Sequence, residues 1–289
     1  MPIISFWSDK KKETAQTLSM IAIASYMAVE NNSKILIIDV NINDKTIKNA
    51  YFNQQESATR KAVMKLNAGK IDLGAGIEGL AKLLASGKNS GEAISDYSKV
   101  VFKGRLEVIL SLETDRPSDI ERIKSSYKDL IKLANQQYDY VFVDLPKGLG
   151  DPRINEILDM SHVVVYNLTQ RQIDLDDYKK TKQSHQMFKD SKVLPLIGRY
   201  DRYSKFTKKN IARALGEKRE IPAVSYNTLF FENANEGAIG GFFLKFRKSL
   251  MSSNDRNIVF VDEVANTVDR LILKTQESLM TRRNYWWII

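Results

Sequence analysis

The sequence has no cysteine and only two histidines in 289 residues. The absence of cysteine excludes disulfide bonds and cysteine-based zinc sites, and it is compatible with a reducing cytoplasm. His162 and His185 are too few to form a multi-histidine metal site. We therefore interpret both histidines as ordinary surface or core residues.

Long hydrophobic runs are also missing. No apolar stretch approaches the ~20 residues that a membrane-spanning helix needs, and charged residues directly follow the apolar start Ile3–Trp7, unlike in a signal peptide. We therefore expect a cytoplasmic protein, peripheral to the inner face of a membrane at most. A hydrophobic content of 43% is enough for one large core. We expect a single domain over residues 1–280, followed by a tail over 281–289.

Basic residues are in excess, and the formal net charge is +9. Such a balance favours contact with nucleic acid or an anionic membrane surface, but it says nothing about the fold. The stretch Lys179–Lys182 lies in a predicted helix that starts near Asp174. It is either a solvated helix face or part of a surface for non-specific DNA binding, since no helix-turn-helix motif is evident.

Short β-branched runs alternate with helical stretches along the chain. Continuous apolar runs of this kind are typical of parallel strands that are covered on both faces, so we predict an α/β fold with a doubly wound, mainly parallel sheet. The segment from Asn43 to Gly104 is weakly patterned, apart from a helix near Leu80–Ala85. The predicted strands are Ile3–Trp7, Lys34–Asp39, Arg105–Leu110, Tyr140–Asp144, Val163–Asn167 and Val193–Gly198, and the longer helices are Thr17–Asn31, Asp119–Gln137 and Val261–Met280.

The loop Ser8–Thr17 lies between the first strand and the first helix, where a phosphate loop belongs. A working phosphate loop uses glycines to close backbone N–H groups around phosphate, a lysine on the β- and γ-phosphates, and a hydroxyl on magnesium. This loop has no glycine, and Gln16 stands where the lysine is needed, although Thr17 keeps the hydroxyl. Taken alone, the loop is a basic turn before a helix.

Two carboxylates end predicted strands at the edge where open α/β sheets bind ligands. Asp39 follows the second strand, and Asp144 ends the strand that begins at Tyr140, with Pro146 and Gly148 close behind. A carboxylate in this position can hold magnesium directly or through water. The alternative is that Asp144 only caps the next element. The proline and glycine that follow it resemble a Walker B and switch II segment, and this resemblance favours a metal site.

These motifs together resemble the ParA/MinD-type P-loop ATPases with a deviant Walker A loop. The likeness runs through Pro2–Asn43 and Tyr138–Gly150 and covers nearly the whole chain. It implies ATP or ADP with magnesium as cofactor, a homodimer, and a P-loop NTPase fold with helices on both faces of the sheet. Gly76–Leu84 and Lys103–Leu106 look most like the TadZ/CpaE-related pilus-assembly group.

The resemblance also implies roles for individual residues. Lys11 takes the place of the signature lysine, which reaches the nucleotide of the dimer partner, and its two lysine neighbours are substitutes. Asp39 and Asn41 match the pair that orients the attacking water, and Thr17 and Asp144 match the magnesium ligands. Nucleotide contacts are implied for Lys10, Lys12, Ala15, Gln16, Thr17, Leu18 and Pro222.

Several positions depart from the family pattern. Ala15 replaces a glycine, as do the two residues before Thr14, and Asn41 replaces an aspartate, so it cannot add negative charge or accept a proton. Gly198 stands where an asparagine often reads adenine. Losing a lysine at 16 and an aspartate at 41 removes charge stabilisation and water orientation together, and phosphoryl transfer depends on both effects.

Two classes of function follow from these observations. In the first, the chain is a positioning or scaffold protein with weak or absent hydrolysis that localises a pilus, secretion or conjugation apparatus or partitions DNA. In the second, it is a working ATPase in which Lys10, Lys11 or Lys12 replaces the missing lysine and Asp39 or a water chain positions the nucleophile.

The end of the sequence combines Arg282 and Arg283 with Tyr285–Ile289, which includes two tryptophans. Basic residues beside tryptophan suit a membrane interface. A short segment of this kind can equally dock onto the protein's own surface or onto a partner.

Overall fold

The computed structural model describes residues 1–9, 14–53, 76–87, 91–148, 150–246 and 255–285. Eight strands form one sheet in the order β3-β4-β2-β5-β1-β6-β7-β8. All neighbouring strands are parallel except β3, which pairs with β4 in the antiparallel direction. The strands are β1 (Ile3–Trp7), β2 (Ile35–Asp39), β3 (Lys99–Phe102), β4 (Leu106–Ile109), β5 (Tyr140–Asp144), β6 (Val163–Leu168), β7 (Val193–Tyr200) and β8 (Ala223–Ser225).

Helices connect these strands, and one short 3-10 turn occupies Gly91–Ala93. The described α-helices, in chain order, are α1 (Gln16–Glu30), α2 (Thr46–Phe52), α3 (Ile77–Ala85), α4 (Ile94–Tyr97), α5 (Pro117–Ala134), α6 (Pro152–Met160), α7 (Gln172–Ser184), α8 (Gln186–Lys189), α9 (Lys208–Leu215), α10 (Thr228–Glu236), α11 (Ile239–Lys245) and α12 (Arg256–Tyr285).

The sheet separates two hydrophobic cores. Side chains alternate along each strand, so Ile3 and Trp7 face one core while Ile4 and Phe6 face the other. Helices α3, α5, α6, α7 and α9 cover the first face, and α1, α2, α10, α11 and α12 cover the second. All five residues of β1 are buried, because a sheet covered on both faces leaves no side chain in water.

The structure confirms the predicted fold class. The predicted strands recur with boundary shifts of one or two residues, and the helix predicted over Thr17–Asn31 occupies Gln16–Glu30. Two strands were missed, β3 and the three-residue β8, because neither has the long buried apolar run of the central strands.

The last helix is longer than predicted at both ends. It begins at Arg256 and continues to Tyr285, so the part of the predicted tail from 281 to 285 extends this helix. Residues 286–289 lie outside the described part of the chain, as does much of the weakly patterned segment between Asn43 and Gly104. None of the helices that the structure describes is long and apolar enough to cross a membrane.

Candidate functional site

The candidate site forms where the carboxyl ends of β2 and β5 meet the start of α1. Asp39 and Asp144 are register partners across these two strands, so their side chains leave the sheet at the same level. Asp144 is 1% exposed and Asp39 is 2% exposed. The sequence argument that both carboxylates lie at one edge of the sheet is therefore consistent with the structure.

The Gln16 side chain is hydrogen-bonded directly to the Asp144 carboxylate. Its Nε2 atom donates to Oδ1 of Asp144 and to the carbonyl oxygen of Leu145, both at 2.7 Å. Both partners are acceptors, so the amide nitrogen must face them, and this fixes the orientation of the side chain. Gln16 is itself 1% exposed. The amide thus stands against a carboxylate, at the position where the resemblance implies a lysine.

Thr17 and Asn41 complete the ring of donors around Asp144. The Thr17 hydroxyl donates to Oδ2 at 2.7 Å, and Asn41 Nδ2 donates to the same oxygen at 2.9 Å and to the Asp144 carbonyl at 3.0 Å. The backbone N–H of Asn41 donates to Asp39 Oδ1 at 3.0 Å. Both carboxylates are therefore held by neutral donors, and none of these hydrogen bonds comes from a cationic side chain.

Burial raises the pKa of both carboxyl groups. For Asp144 the loss of solvation raises the pKa from 3.8 to about 6, while the hydrogen bonds from Gln16 and Thr17 act to lower it. For Asp39 the loss of solvation again raises the pKa, helped by the negative charge of Asp144 and opposed by the backbone N–H of Asn41. Neutral donors offset part of the cost of burying these charges, as expected when no cation is in contact.

The turn into α1 keeps a conformation that usually belongs to glycine. Ala15, which precedes the helix, has φ 50° and ψ 33°, in the left-handed region that side chains disfavour. The backbone on its N-terminal side lies against β7: a Cβ atom built on Gly198 would be 2.0 Å from the carbonyl oxygen of Thr14. Gly198 is therefore needed for close backbone approach, which is a physical reason for the residue that stands in place of asparagine.

The loop after β5 is tied to the start of the first loop. The N–H of Gly148 donates to the Ser8 carbonyl at 3.0 Å, and the Trp7 indole N–H donates to the Gly148 carbonyl at 3.2 Å. Gly148 has φ 86°, which explains why glycine follows Asp144 at this distance. The two loops that would contact phosphate and metal are thus coupled through one backbone hydrogen bond and one from the Trp7 side chain.

The oxygen atoms at this edge fit magnesium better than they fit a triphosphate. Thr17 Oγ1 and Asp144 Oδ2 are 2.7 Å apart, and hydroxyl and carboxylate oxygens are ligands that magnesium accepts directly or through water. A phosphate group needs positive charge nearby. The charged side chains that influence Asp144 include the carboxylate of Asp44, which is negative, and the ammonium of Lys147, which is exposed to solvent. Within the described residues, the site does not supply a buried cation for a phosphate group.

The structure brings together most of the predicted site residues. Ala15, Gln16, Thr17, Asp39, Asn41 and Asp144 lie around one edge of the sheet, whereas Lys10, Lys11 and Lys12 lie outside the described residues. In the described part of the chain, no group of three or more histidine, aspartate or glutamate side chains could hold a metal ion. His162 Nδ1 accepts from the Ile3 backbone and His185 Nδ1 from the Met187 backbone, so both histidines have structural roles.

Pro222 lies apart from the Asp144 network, and its contact with a nucleotide stays a prediction. It directly precedes β8, where its carbonyl accepts from the Ile197 backbone, and it lines a different cleft, next to Pro195 and Arg270. The residues that follow β8 instead lie beside α1. A strand of three residues gives no sequence pattern from which the end that reaches the site could be predicted.

Sequence reasoning missed the residues that line the side of the site next to β8. Ala15 and Leu18 border a small cavity of about 30 Å³ together with Arg199, Tyr226 and Phe231. This volume holds about one water molecule and is far below that of ordinary ligand pockets. A purine base does not fit this cavity without movement of its aromatic walls. Tyr226 and Phe231 are exposed in the structure, which the sequence does not show, so it gave no clear signal for them.

Comparison with known proteins gives structural neighbours only. No protein-family model matches the chain, and no curated protein matches its sequence. Among solved structures, a ParA family ATPase from Chlorobium tepidum superposes with a TM-score of 0.62 and 15% identity, over 91% of this chain and 97% of that one. The septum site-determining protein MinD from Pyrococcus horikoshii, complexed with Mg-ADP, gives 0.60 and 16%, over 94% and 98%.

A plasmid partition protein from Borrelia burgdorferi bound to AMPPNP gives a TM-score of 0.57 and 17% identity, over 94% of this chain and 99% of that one. These neighbours are matched over nearly their full length. At such identities the likeness shows the fold, which is that of the ParA/MinD-type P-loop NTPases.

Proposed function

We propose that this protein is a ParA/MinD-like positioning or scaffold protein in which hydrolysis of ATP is weak or absent. The observation that carries the proposal is the pair of hydrogen bonds from the Gln16 amide to Asp144 and Leu145. A neutral amide supplies the donor that the carboxylate needs, but it adds no positive charge for a developing phosphate anion. Electrostatic stabilisation is the main contribution that proteins make to phosphoryl transfer.

Asn41 supports the same conclusion. Its Nδ2 atom donates to both the carbonyl and a carboxylate oxygen of Asp144, so its amide is committed to the same network. An aspartate at position 41 would place a second negative charge against Asp144 Oδ2. An aspartate at position 41 without a lysine at position 16 is therefore expected to be unfavourable.

The test is a double-mutant cycle with Gln16→Lys and Asn41→Asp. We expect no measurable turnover of ATP with magnesium for the wild-type protein, destabilisation for Asn41→Asp alone, and recovered stability with measurable turnover for the double variant. Urea unfolding measures stability, and release of inorganic phosphate measures turnover. A measurable wild-type rate equal to that of the double variant would contradict the proposal.

A working ATPase is the second candidate, and one observation favours it. Ala15 keeps the left-handed turn before α1, and Thr17 and Asp144 keep adjacent oxygens for magnesium, so part of a phosphate-binding geometry is present. In this case Lys10, Lys11 or Lys12 replaces the missing cation. Micromolar binding of AMPPNP with magnesium that Lys11→Ala and Asp144→Ala both weaken supports a retained nucleotide site, and phosphate release from ATP then distinguishes this function from binding alone. No binding at millimolar concentration rejects it.

Non-specific DNA is the partner that the surface charges favour. The stretch Lys179–Lys182 is not the centre of this surface, because Lys179, Lys180 and Lys182 each have an acidic partner within 4 Å. The exposed cations at the carboxyl end of β7 and on α9 have no ion pair with any described residue. They are Arg199, Arg202, Lys205, Lys209 and Arg213, with Tyr203 89% exposed among them.

A basic surface with an exposed aromatic ring suits contact with phosphates and bases. We expect duplex DNA of random sequence to bind with an affinity that falls steeply with salt. The double variant Lys209→Gln with Arg213→Gln should reduce the slope of log affinity against log salt by the amount expected for about two phosphate contacts. Fluorescence anisotropy at several salt concentrations measures both. Unchanged binding by this double variant would place DNA elsewhere on the protein, and no binding by the wild-type protein would exclude DNA as a partner.

The remaining partners follow from the fold and the resemblance. We propose a homodimer, which the resemblance implies. We propose that this dimer serves a pilus, secretion or conjugation apparatus. The narrower proposal is that the chain belongs to the TadZ/CpaE-related group. Contact of the C-terminal end with the inner face of a membrane remains a separate proposal. Sedimentation with and without AMPPNP tests the dimer, and flotation with anionic vesicles tests the membrane contact.

A further inference from the structure

A second cleft lies at the N-terminal ends of β7 and β8, at the opposite end of the sheet from the candidate site. It has a volume of about 400 Å³, within the range of pockets that hold small molecules. The β7–β8 cleft is lined by the strand starts Val193–Pro195 and Ile221–Pro222, by the loop Gly216–Glu220 after α9, and by one face of α12. None of these residues takes part in the network around Asp144.

The polar lining of the β7–β8 cleft is rich in cations. Lys218 and Arg219 come from the loop after α9, and Arg270 and Lys274 come from α12. Two of the three lining carboxylates, Glu220 and Glu277, make no ion pair with any described residue, and the third, Glu217, is already bonded to Lys182 at 2.7 Å. The carboxylates that remain are therefore too few to neutralise the four cations.

Part of this positive charge is concentrated at Arg270 and Lys274. They are four residues apart on α12, so they lie on the same face of the helix, where like charges repel. The Arg270 side chain is half-buried, and its Nε atom is fully buried and has no hydrogen-bond acceptor among the described residues. A buried guanidinium donor without an acceptor is unfavourable, so Arg270 is not fully satisfied by the fold. An anion in the cleft would accept from the guanidinium N–H groups that line it and would relieve the repulsion between Arg270 and Lys274.

We propose that the β7–β8 cleft binds a small phosphorylated anion through Arg270 and Lys274, with Lys218 and Arg219 closing over it from the loop. Arginine matches phosphate oxygens with paired N–H donors, and the flanking lysines add charge without fixing geometry. The site is independent of the candidate nucleotide site and of the function proposed above. It would make the protein responsive to a phosphorylated metabolite at a place remote from Asp144.

Calorimetric titration of the full-length protein with inorganic pyrophosphate tests this assignment. We expect saturable 1:1 binding per chain, weaker binding of inorganic phosphate, and at least a tenfold loss of affinity in Arg270→Gln with Lys274→Gln. The exposed pair Lys179→Gln with Lys180→Gln removes the same charge from α7 and is expected to bind like the wild type. Since Arg270 is half-buried, Lys274→Gln and Lys218→Gln are also measured singly, and each is expected to lose affinity at least threefold.

Three results would overturn the proposal. Equal losses in the α7 control pair and the cleft pair would mean diffuse attraction to surface charge. Loss of binding in Lys11→Ala, with full binding in the cleft variants, would assign the anion to the loop before α1. Displacement of pyrophosphate by a short DNA duplex at a 1:1 ratio would assign the cleft to a nucleic-acid surface. Far-UV circular dichroism of each variant establishes that the fold is retained.

Discussion

Two amide side chains hold the buried carboxylate of Asp144, and they do so without a cation. Gln16 and Asn41 each present a nitrogen to oxygen atoms of Asp144, and Thr17 adds a hydroxyl. A lysine in the same place would pair with the carboxylate by charge and could also turn towards a phosphate. The amide nitrogens donate hydrogen bonds to Asp144 without adding positive charge. These residues therefore stabilise the folded site but give no charge stabilisation to a phosphate.

Ala15 is the residue with the clearest backbone strain at the site. Its φ of 50° and ψ of 33° cost a side chain about 1 kcal/mol relative to glycine. We expect Ala15→Gly to raise the free energy of unfolding by about 0.5–1 kcal/mol, measured by urea denaturation. The control is Ala28→Gly within α1, where the backbone is helical and the substitution should lower stability by about 1 kcal/mol. A loss of stability in Ala15→Gly would contradict the inference of strain.

The raised pKa of Asp144 predicts a specific pH dependence. Between its ordinary pKa of 3.8 and its folded value of about 6, the folded state binds more protons than the unfolded state. The stabilising contribution is therefore complete below about pH 4 and is lost as pH rises through 6, up to roughly 3 kcal/mol. We expect wild-type protein to lose stability relative to Asp144→Asn between pH 4.5 and 7 in urea unfolding. Parallel curves for the two proteins would reject the raised pKa.

At the scale of elements, the first loop depends on how closely it approaches β7. The Thr14 carbonyl lies where the Cβ of any larger residue at 198 would be, at 2.0 Å. We expect Gly198→Ala to lower the free energy of unfolding by about 1–3 kcal/mol, because either the loop or the strand must move. Urea denaturation measures the loss, and faster hydrogen exchange at the start of α1 would locate it.

A matched control for this substitution is available in α11. A Cβ atom built on Gly241 would meet no heavy atom of another element within 4 Å, and the residue has no positive φ, so alanine fits there without a clash. Gly241→Ala should be neutral or stabilising by about 0.5–1 kcal/mol, since alanine is the better helix former. If both substitutions destabilise the protein equally, close approach at Gly198 is not the cause.

At the scale of the whole molecule, both hydrophobic cores share one sheet. Each central strand contributes to both, as Ile3 and Ile4 of β1 show, so loss of either core removes support from the other. We therefore expect one cooperative unfolding transition for residues 1–280. Trp7 is fully buried and reports on the first core once the two terminal tryptophans are replaced by phenylalanine.

The measurement compares Trp7 fluorescence with far-UV circular dichroism during urea unfolding of this variant. The two midpoints should coincide, and Val268→Ala, which opens a gap in the second core, should lower both by the same amount. Two separated transitions would mean that the chain contains two folding units.

The fold class could be predicted from the sequence, because buried parallel strands need continuous apolar runs and those runs are visible without coordinates. The sequence also placed Asp39 and Asp144 at one edge of the sheet, since both follow such runs directly. Tertiary structure alone decided what these carboxylates contact: the orientation of Gln16 and Asn41 depends on acceptors more than a hundred residues away in the chain. The same holds for Gly198 against Thr14 and for the placement of Pro222, because close backbone approach and the direction of a three-residue strand leave no periodic pattern in the sequence.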